Sequence, residues 1–248
     1  MKIYGVFGYP LSHSKSKFLF DDQFDNSKEV SFLEFEFDSI LKFYDLIKNQ
    51  TDIHGFNVTS PYKKEIISIL HDQASEVKNI GACNTVKIER TDNGFQLKGY
   101  NTDVIGFMKS LDKLDLTSVK HAYILGTGGA SNAITYVLES LKMPFTLISR
   151  TPITNIGDTE SYQYLFDEMD LHYSLIINCT PVGTSRNNEL IPIPYSKLNS
   201  SSILYDLVYN PEKSPFLTEG SKFDAVTTNG WDMLKIQAYE SWKIWGLV

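Results

Sequence analysis

The sequence has few cysteines and histidines, and this scarcity excludes several kinds of protein. Its two cysteines, Cys83 and Cys179, lie far apart, so they form neither a disulfide framework nor a metal-binding spacing. We interpret both as small buried thiols rather than redox groups. The five histidines show no ligand spacing, so no metal site is predicted.

Long apolar runs and an excess of basic side chains are also missing. No stretch is long enough to span a bilayer, and the first residues lack the sustained apolar segment of a secretory signal. Thirty acidic side chains outnumber 23 basic ones, and the net charge of −7 argues against nucleic acids or anionic membranes as partners. We expect a soluble cytoplasmic protein, a monomer or a homodimer, whose partner is a small molecule.

What the sequence does contain is an alternation of short apolar strands and amphipathic helices. In the first part, strands are predicted at 3–7, 33–37 and 55–59, and Leu33, Phe35 and Phe37 are expected to share one face. Ser60 followed by Pro61 is typical of a helix start. The stretch 85–100 is predicted to be a hairpin that turns at 92–94.

The second part predicts a parallel sheet. Strands are predicted at 121–125, 145–148, 175–177 and 203–205, with helices between them. Such alternation is typical of right-handed βαβ units. A helix over 103–114 is expected to connect two α/β domains, and a helix over 231–245 closes the chain.

A glycine-rich loop lies between a predicted strand and a predicted helix. Residues 126–131 read Gly-Thr-Gly-Gly-Ala-Ser. Backbone N–H groups and a helix N-terminus favour a pyrophosphate at such a turn. The strict dinucleotide pattern has a third glycine where this chain has Ser131. A plain tight turn is the alternative, but the flanking strand and helix favour cofactor binding.

The end of the next strand indicates which dinucleotide is bound. An NAD site usually carries a carboxylate about 20 residues after the glycines. This chain instead has Ser149-Arg150-Thr151. Arg150 can pair with a 2′-phosphate and stack on the adenine, which favours NADP over the alternative of an ordinary surface arginine.

Small polar residues cluster at the predicted strand ends of the first domain, where open α/β sheets bind ligands. Each alone is better explained as a cap or a solvated side chain, but together they suit a polyhydroxylated acid. Lys63 and Asp103 are the pair that could move a proton during alcohol oxidation. The residues leave open which of the two carries that proton, so we treat them as a coupled pair.

Eight motifs, in order along nearly the whole chain, resemble the shikimate dehydrogenase family. They are residues 8–16 (GYPLSHSKS), 57–63 (NVTSPYK), 81–85 (GACNT), 101–103 (NTD), 126–131 (GTGGAS), 178–181 (NCTP), 205–211 (YDLVYNP) and 233–238 (MLKIQA, matched at Met233-Leu234 and Gln237-Ala238). The chain departs from the family pattern at three positions, with Lys17 in place of proline, Ser149 in place of asparagine and Tyr100 in place of aspartate.

The resemblance implies an NADP-dependent shikimate dehydrogenase, which reduces 3-dehydroshikimate to shikimate reversibly in the chorismate and aromatic amino acid pathway. It implies a substrate-binding catalytic domain over 1–103 plus 229–248, and a Rossmann-like NADP-binding domain over 104–228. The final helix then returns to the first domain.

The resemblance also implies roles for individual residues. Lys63 and Asp103 match the proton-transfer pair. The residues implied to bind substrate are Ser12 and Ser14 at its carboxylate, which Tyr209 also approaches, and Asn57, Thr59, Asn84 and Gln237 around the ring. The residues implied to bind NADP are Gly126, Thr127, Gly128, Gly129, Ala130, Ser149, Arg150, Thr151, Asn178, Thr180, Pro181, Val208 and Gly230.

Three other functions remain open from the residues. One is a quinate/shikimate dehydrogenase that uses NAD. Another is a non-catalytic paralogue that binds shikimate or NADPH, although the intact Lys63 and Asp103 argue against it. A folate-linked dehydrogenase is a weaker alternative, because the Ser12 and Ser14 pair favours shikimate.

Overall fold

The computed structural model describes residues 1–11, 14–25, 27–92, 94–151, 159–167 and 171–248. The chain divides into two compact units. The first unit contains Met1–Gly106 and Lys235–Val248, and the second contains Phe107–Leu234. The closing stretch of the chain therefore belongs to the same unit as its start.

The first unit is built on a mixed six-stranded sheet. Its strands are β1 (Lys2–Gly8), β2 (Val30–Glu36), β3 (Ile53–Val58), β4 (Asp72–Gln73), β5 (Thr85–Thr91) and β6 (Gly94–Tyr100), in the order β2-β1-β3-β5-β6-β4. Strand β1 is parallel to β2 and β3, whereas β5 is antiparallel to β3 and β6. Its helices are α1 (Ser16–Phe24), α2 (Ile40–Asn49), α3 (Ser75–Ile80), the start of α4 (Thr102–Ser110) and most of the closing helix (Trp231–Trp245).

Strand β2 differs from its predicted pattern. Phe35 is buried as expected and packs on Phe43 of α2, with ring centroids 5.2 Å apart. Leu33, however, is 41% exposed, while Phe32 is buried against Phe20 of α1. The strand thus buries residues on both of its faces, because a helix packs against each face, and a simple alternation does not describe it.

The predicted helix start at Ser60 and Pro61 is wrong. Residues 60–64 form turns, the Ser60–Pro61 peptide is cis, and a 3₁₀ helix follows at Glu65–Ile69. The carbonyl of Lys63 accepts the backbone N–H of Cys83 at 2.7 Å, so it is engaged outside any helix. The predicted hairpin is confirmed, since β5 and β6 pair from Thr85↔Tyr100 to Thr91↔Gly94.

The second unit is built on a fully parallel six-stranded sheet. Its strands are β7 (His121–Leu125), β8 (Phe145–Ser149), β9 (Thr159–Ser161), β10 (Ser174–Asn178), β11 (Ile203–Asp206) and β12 (Val226–Asn229), in the order β12-β11-β10-β7-β8-β9. This is the Rossmann strand order, in which the direction of winding reverses between β7 and β10 and ligands bind at that reversal. The helices are α5 (Gly129–Ser140), α6 (Tyr162–Asp167) and α7 (Pro215–Gly220), and the closing helix is α8 (Trp231–Trp245).

The helices predicted at 103–114 and 231–245 are present in the structure, the first with different bounds. Helix α4 ends at Ser110 and continues as a 3₁₀ turn over Leu111–Lys113, while α8 spans the predicted residues. Within the described part of the chain, no helix is both long enough and apolar enough to cross a membrane.

Candidate active site

Lys63 and Asp103 form an ion pair in the first unit. Lys63 lies in the turn after β3, and Asp103 lies in the first turn of α4. Lys63 Nζ donates to Asp103 Oδ2 at 2.6 Å, and the two side chains are 18% and 9% exposed. The pair is therefore largely shielded from water, and the lysine end is the more accessible one.

The short segment 82–84 fixes the backbone on both sides of this ion pair. Cys83 N–H binds the carbonyl of Lys63, and the Asn101 side-chain amide donates to the Ala82 carbonyl at 2.9 Å. Asn84 Oδ1 accepts the backbone N–H of Thr102 at 2.7 Å, which caps the start of α4. Cys83 itself is fully buried, and burial raises the pKa of its thiol to about 12, as expected of an inert core cysteine.

A buried polar cluster lies on the same unit and includes three of the predicted substrate residues. Asn84 Nδ2 donates to Thr102 Oγ1 at 3.0 Å and to Gln237 Oε1 at 3.4 Å. Asn57 Nδ2 donates to Thr85 Oγ1 at 3.0 Å. The structure thus brings Asn57, Asn84 and Gln237 together, although 153 positions separate Asn84 from Gln237.

The remaining predicted substrate residues are placed separately. Ser14 is half-buried, and its hydroxyl accepts the backbone N–H of Ser16 at 3.3 Å. Thr59 is half-buried just after β3, and its N–H binds the Phe7 carbonyl at 2.9 Å. Tyr209 lies in the second unit after β11, with its ring 6.1 Å from that of Trp231. Ser12 lies outside the described residues.

In the second unit, the glycine turn begins at the end of β7. Gly126 has φ +105°, a conformation that favours glycine, and a Cβ there would lie 2.9 Å from Thr180 Cγ2. Gly128 caps α5, and a Cβ at this position would meet only open space. Ser131, in place of the third glycine, is buried and donates to the Gly128 carbonyl at 2.6 Å. The serine therefore faces inward and leaves the turn open.

A cavity of about 500 Å³ opens beside this turn. Ser149 and Arg150 line it at the end of β8, and the pKa of Tyr162, another lining residue, is raised by burial. The other lining residues are Gly126, Thr127, Gly128, Ile148, Cys179, Thr180, Pro181, Val182, Asn187, Glu189, Leu190, Ile191 and Pro192. Cys179 is half-buried, not fully buried as expected.

These features fit part of a dinucleotide. The volume falls in the range of ligand pockets, of roughly 300–1,000 Å³. The open space at Gly128 and the N-terminus of the 12-residue helix α5 suit a pyrophosphate. Arg150 is exposed at the end of β8, and its guanidinium is of the kind that pairs with a 2′-phosphate.

Several predicted cofactor residues do not line this cavity. Asn178 is fully buried, and its side-chain amide donates to Asp206 Oδ1 at 2.8 Å and to the Val182 carbonyl at 3.0 Å, while its Oδ1 accepts from Thr180. Its role in cofactor binding stays a prediction. Val208 and Gly230 are buried and joined by a 3.5 Å backbone bond. Gly129 and Ala130 form the start of α5, and Thr151 is exposed beyond β8.

Asp206 is a buried carboxyl to which the sequence analysis gave no role. Its side chain accepts hydrogen bonds from Asn178, Ser214 and the Val208 N–H. Burial raises its pKa to about 6, although these bonds act in the opposite direction. It joins the ends of β10 and β11 to the start of α7 and so shapes the loops beside the cavity.

The fold and the two sites define a class. A Rossmann-type sheet with a glycine turn and a cavity lined by Arg150, in one chain with an α/β unit that carries a lysine–aspartate pair, is the arrangement of a two-domain dinucleotide-dependent dehydrogenase. Comparisons with known proteins agree with this class. The family model for the shikimate dehydrogenase substrate binding domain matches residues 6–86.

Individual relatives cover most of the chain. The shikimate dehydrogenase (NADP(+)) of Clostridium botulinum (strain Hall) is 37% identical over 220 residues, which is 82% of this chain and 80% of that protein. A solved shikimate dehydrogenase 1 from Peptoclostridium difficile has a TM-score of 0.82 and 35% identity, over 99% of this chain and 92% of that one. A shikimate dehydrogenase crystallised with NADP+ has a TM-score of 0.83 and 32% identity, over 100% and 91%. The chain belongs to the shikimate dehydrogenase family.

Proposed function

We propose that this chain is an NADP-dependent shikimate dehydrogenase, which interconverts 3-dehydroshikimate and shikimate. The observation that carries the proposal is the shielded ion pair of Lys63 and Asp103, 2.6 Å apart, in the same unit as the buried amides of Asn57, Asn84 and Gln237. The names of its relatives support both the substrate and the cofactor.

The ion pair supplies the proton chemistry. Reduction of a ring ketone adds a hydride to the carbon and a proton to the oxygen, and bound NADPH supplies the hydride. Lys63 donates the proton to the oxygen, because its ammonium has N–H groups besides the one held by Asp103 and is the more exposed partner. Asp103 holds the ammonium in place and stabilises its charge. In the oxidation direction the same pair takes up the alcohol proton.

The surrounding side chains bind and orient the ring. Asn57, Thr59, Asn84 and Gln237 present amide and hydroxyl groups suited to ring hydroxyls, and Ser12 and Ser14 hold the carboxylate. We assign these roles to a substrate domain over 1–103 plus 229–248. Residues 104–228 form the NADP domain, in which the glycine turn holds the pyrophosphate and Arg150 binds the 2′-phosphate.

We further propose that the enzyme acts in the cytoplasm, as a monomer or homodimer, in the supply of chorismate for aromatic amino acids. Measurement of the native mass distinguishes the two oligomeric states.

The test is an activity grid with purified protein. Shikimate and quinate are each mixed with NADP+ and with NAD+, and the absorbance of the reduced cofactor is followed between about pH 7 and 10. We expect the fastest turnover with shikimate and NADP+. Folded protein that turns over neither substrate overturns the proposal, and faster turnover with NAD+ replaces it by the NAD-using quinate/shikimate dehydrogenase.

A further inference from the structure

Ser241 is a fully buried residue on α8, one turn after Gln237. Its hydroxyl donates to the Gln237 carbonyl at 2.9 Å. The same oxygen lies 2.9 Å from Asn57 Nδ2 and 2.8 Å from Thr85 Oγ1. A third neighbour, Thr102 Oγ1, lies at 3.2 Å. No step of the proposed reaction uses this hydroxyl, yet it is a central atom of the polar cluster.

Each of these contacts leads directly to a residue of the proposed site. Asn57 is itself one of them. Thr85 Oγ1 donates to Asn84 Oδ1 at 3.0 Å. Thr102 precedes Asp103 in the chain, and its hydroxyl accepts from Asn84 Nδ2 at 3.0 Å. One hydroxyl on α8 therefore connects β3, β5 and the first turn of α4.

The hydrogen-bonding capacity of serine determines what this hydroxyl does. A hydroxyl has one proton to donate and two lone pairs to accept. Because Ser241 donates to the Gln237 carbonyl, it accepts the N–H of Asn57. Its second lone pair is open to the hydroxyl proton of Thr102, since that of Thr85 goes to Asn84 Oδ1. Asn57 Nδ2 is thus held inside the cluster, where it also donates to Thr85 Oγ1, and this fixes Oδ1 on the opposite side of the Cβ–Cγ bond.

We propose that Ser241 is a positioning residue, which fixes the orientation of the Asn57 amide and, through Thr85 and Thr102, that of Asn84. This inference rests on the proposed function. Without the hydroxyl, the Asn57 N–H loses one buried acceptor and the threonines lose a shared partner, so the amides that bind the ring adopt more than one orientation. The ion pair of Lys63 and Asp103 keeps its own contact.

The test compares Ser241→Ala with Ser202→Ala. Ser202 is a matched control, since it is also fully buried and, among the described residues, its hydroxyl bonds to two backbone groups, the Leu171 carbonyl and the Asn199 N–H. In Ser241→Ala we expect KM for shikimate to rise about tenfold or more, with KM for NADP+ within about twofold of wild type. The pH profile of kcat should keep its shape. Ser202→Ala should change neither KM.

Ser241→Thr provides a rescue variant, because a helical threonine also bonds to the carbonyl four residues earlier. We expect its KM for shikimate to fall within about threefold of wild type. If the alanine variant does not fold, Ser241→Cys replaces it, since a thiol is a weak hydrogen-bonding group of similar shape. If KM for shikimate is higher in the cysteine variant than in the threonine variant, the result supports the proposal. If the two variants have the same KM for shikimate, the result overturns it.

Other outcomes separate this inference from the function on which it rests. Wild-type protein without shikimate turnover overturns the proposed function. Wild-type turnover with an unchanged KM for shikimate in Ser241→Ala overturns the role of Ser241 alone. An equal rise in both KM values also overturns it, because that result indicates a general loss of structure.

Discussion

Lys63 Nζ and Asp103 Oδ2 lie 2.6 Å apart, although 40 positions separate the two residues in the chain. The contact depends on the segment 82–84, which bonds to the backbone of Lys63 and to the start of α4. Because these hydrogen bonds hold the backbone around both residues, the Lys63 ammonium has a fixed position. Catalysis by such a pair should depend on the amine itself more than on its contribution to substrate affinity.

Replacement of Lys63 tests this dependence. We expect Lys63→Ala to lower kcat about 100-fold or more, with a smaller effect on KM for shikimate, because the variant loses the proton donor. Steady-state kinetics in both directions measure the two parameters. Lys64→Ala is the matched control, since Lys64 is the exposed neighbour, and it should stay close to wild type. A Lys63→Ala variant with kcat within about threefold of wild type assigns the proton transfer elsewhere.

Arg150 is expected to distinguish NADP from NAD. Its exposed guanidinium lines the cavity and has no carboxylate at the neighbouring positions 149 and 151. We expect Arg150→Ala to lower kcat/KM for NADP+ by about 10–100-fold and that for NAD+ by less than about threefold. Lys222→Ala, which removes an exposed cation of the same unit, should change neither value. Equal losses with both cofactors contradict a role in binding the 2′-phosphate.

The glycine turn allows a paired test of backbone conformation and open space. Gly126→Ala places a side chain at φ +105° and 2.9 Å from Thr180 Cγ2, so it should lower the midpoint of thermal unfolding and raise KM for NADP+. In Gly128→Ala the added methyl group meets no neighbour within 4 Å, so stability should not fall. The methyl group does occupy the open space assigned to the pyrophosphate, so KM for NADP+ should rise. KM for shikimate should stay unchanged in both. An unchanged KM for NADP+ in Gly128→Ala rules out the open space there as the pyrophosphate site.

The sequence predicted the central strands of both sheets and the outer strand β2, and it missed the outer strands β4, β9 and β12. In the runs at 121–125 and 175–177 every residue except His121 is apolar and buried, because helices cover both faces of parallel strands, and this makes the runs recognisable. Strands β9 and β12 are short edge strands with threonine and serine, and their composition does not differ from that of loops. Leu33 was misassigned because only tertiary packing decides which part of an edge strand a helix covers.

The ion pair of Lys63 and Asp103 and the glycine turn were found from the sequence because their motifs are local and resemble those of a known family. Ser241 and Asp206 were not, for a physical reason. A serine on a helix has no distinctive local pattern, and the partners of Ser241 lie 184, 156 and 139 positions away. Asp206 is likewise buried by the packing of α7 and of the loops after β10 and β11. Residue spacing along the chain does not predict this packing.

The buried carboxyl of Asp206 leads to a prediction about stability and pH. Its pKa is raised from 3.8 to about 6 by burial, so the folded protein binds this proton more tightly than the unfolded chain does. A group with a raised pKa in the folded state stabilises the fold at low pH, and this contribution is lost as the pH rises through about 6. The loss should be on the order of 2–3 kcal/mol between pH 4 and 7.

The measurement is the free energy of unfolding in urea at a series of pH values, for wild type and Asp206→Asn. The asparagine variant does not titrate at this position, so the stability of wild type relative to the variant should fall from about pH 4 to 6 and then level off. Asp115→Asn gives a control of opposite sign. Asp115 is exposed, and its hydrogen bonds to Thr117 lower its pKa, so the relative stability of wild type should rise with pH in that comparison. A difference between wild type and Asp206→Asn that rises with pH, or stays flat, contradicts a raised pKa for Asp206.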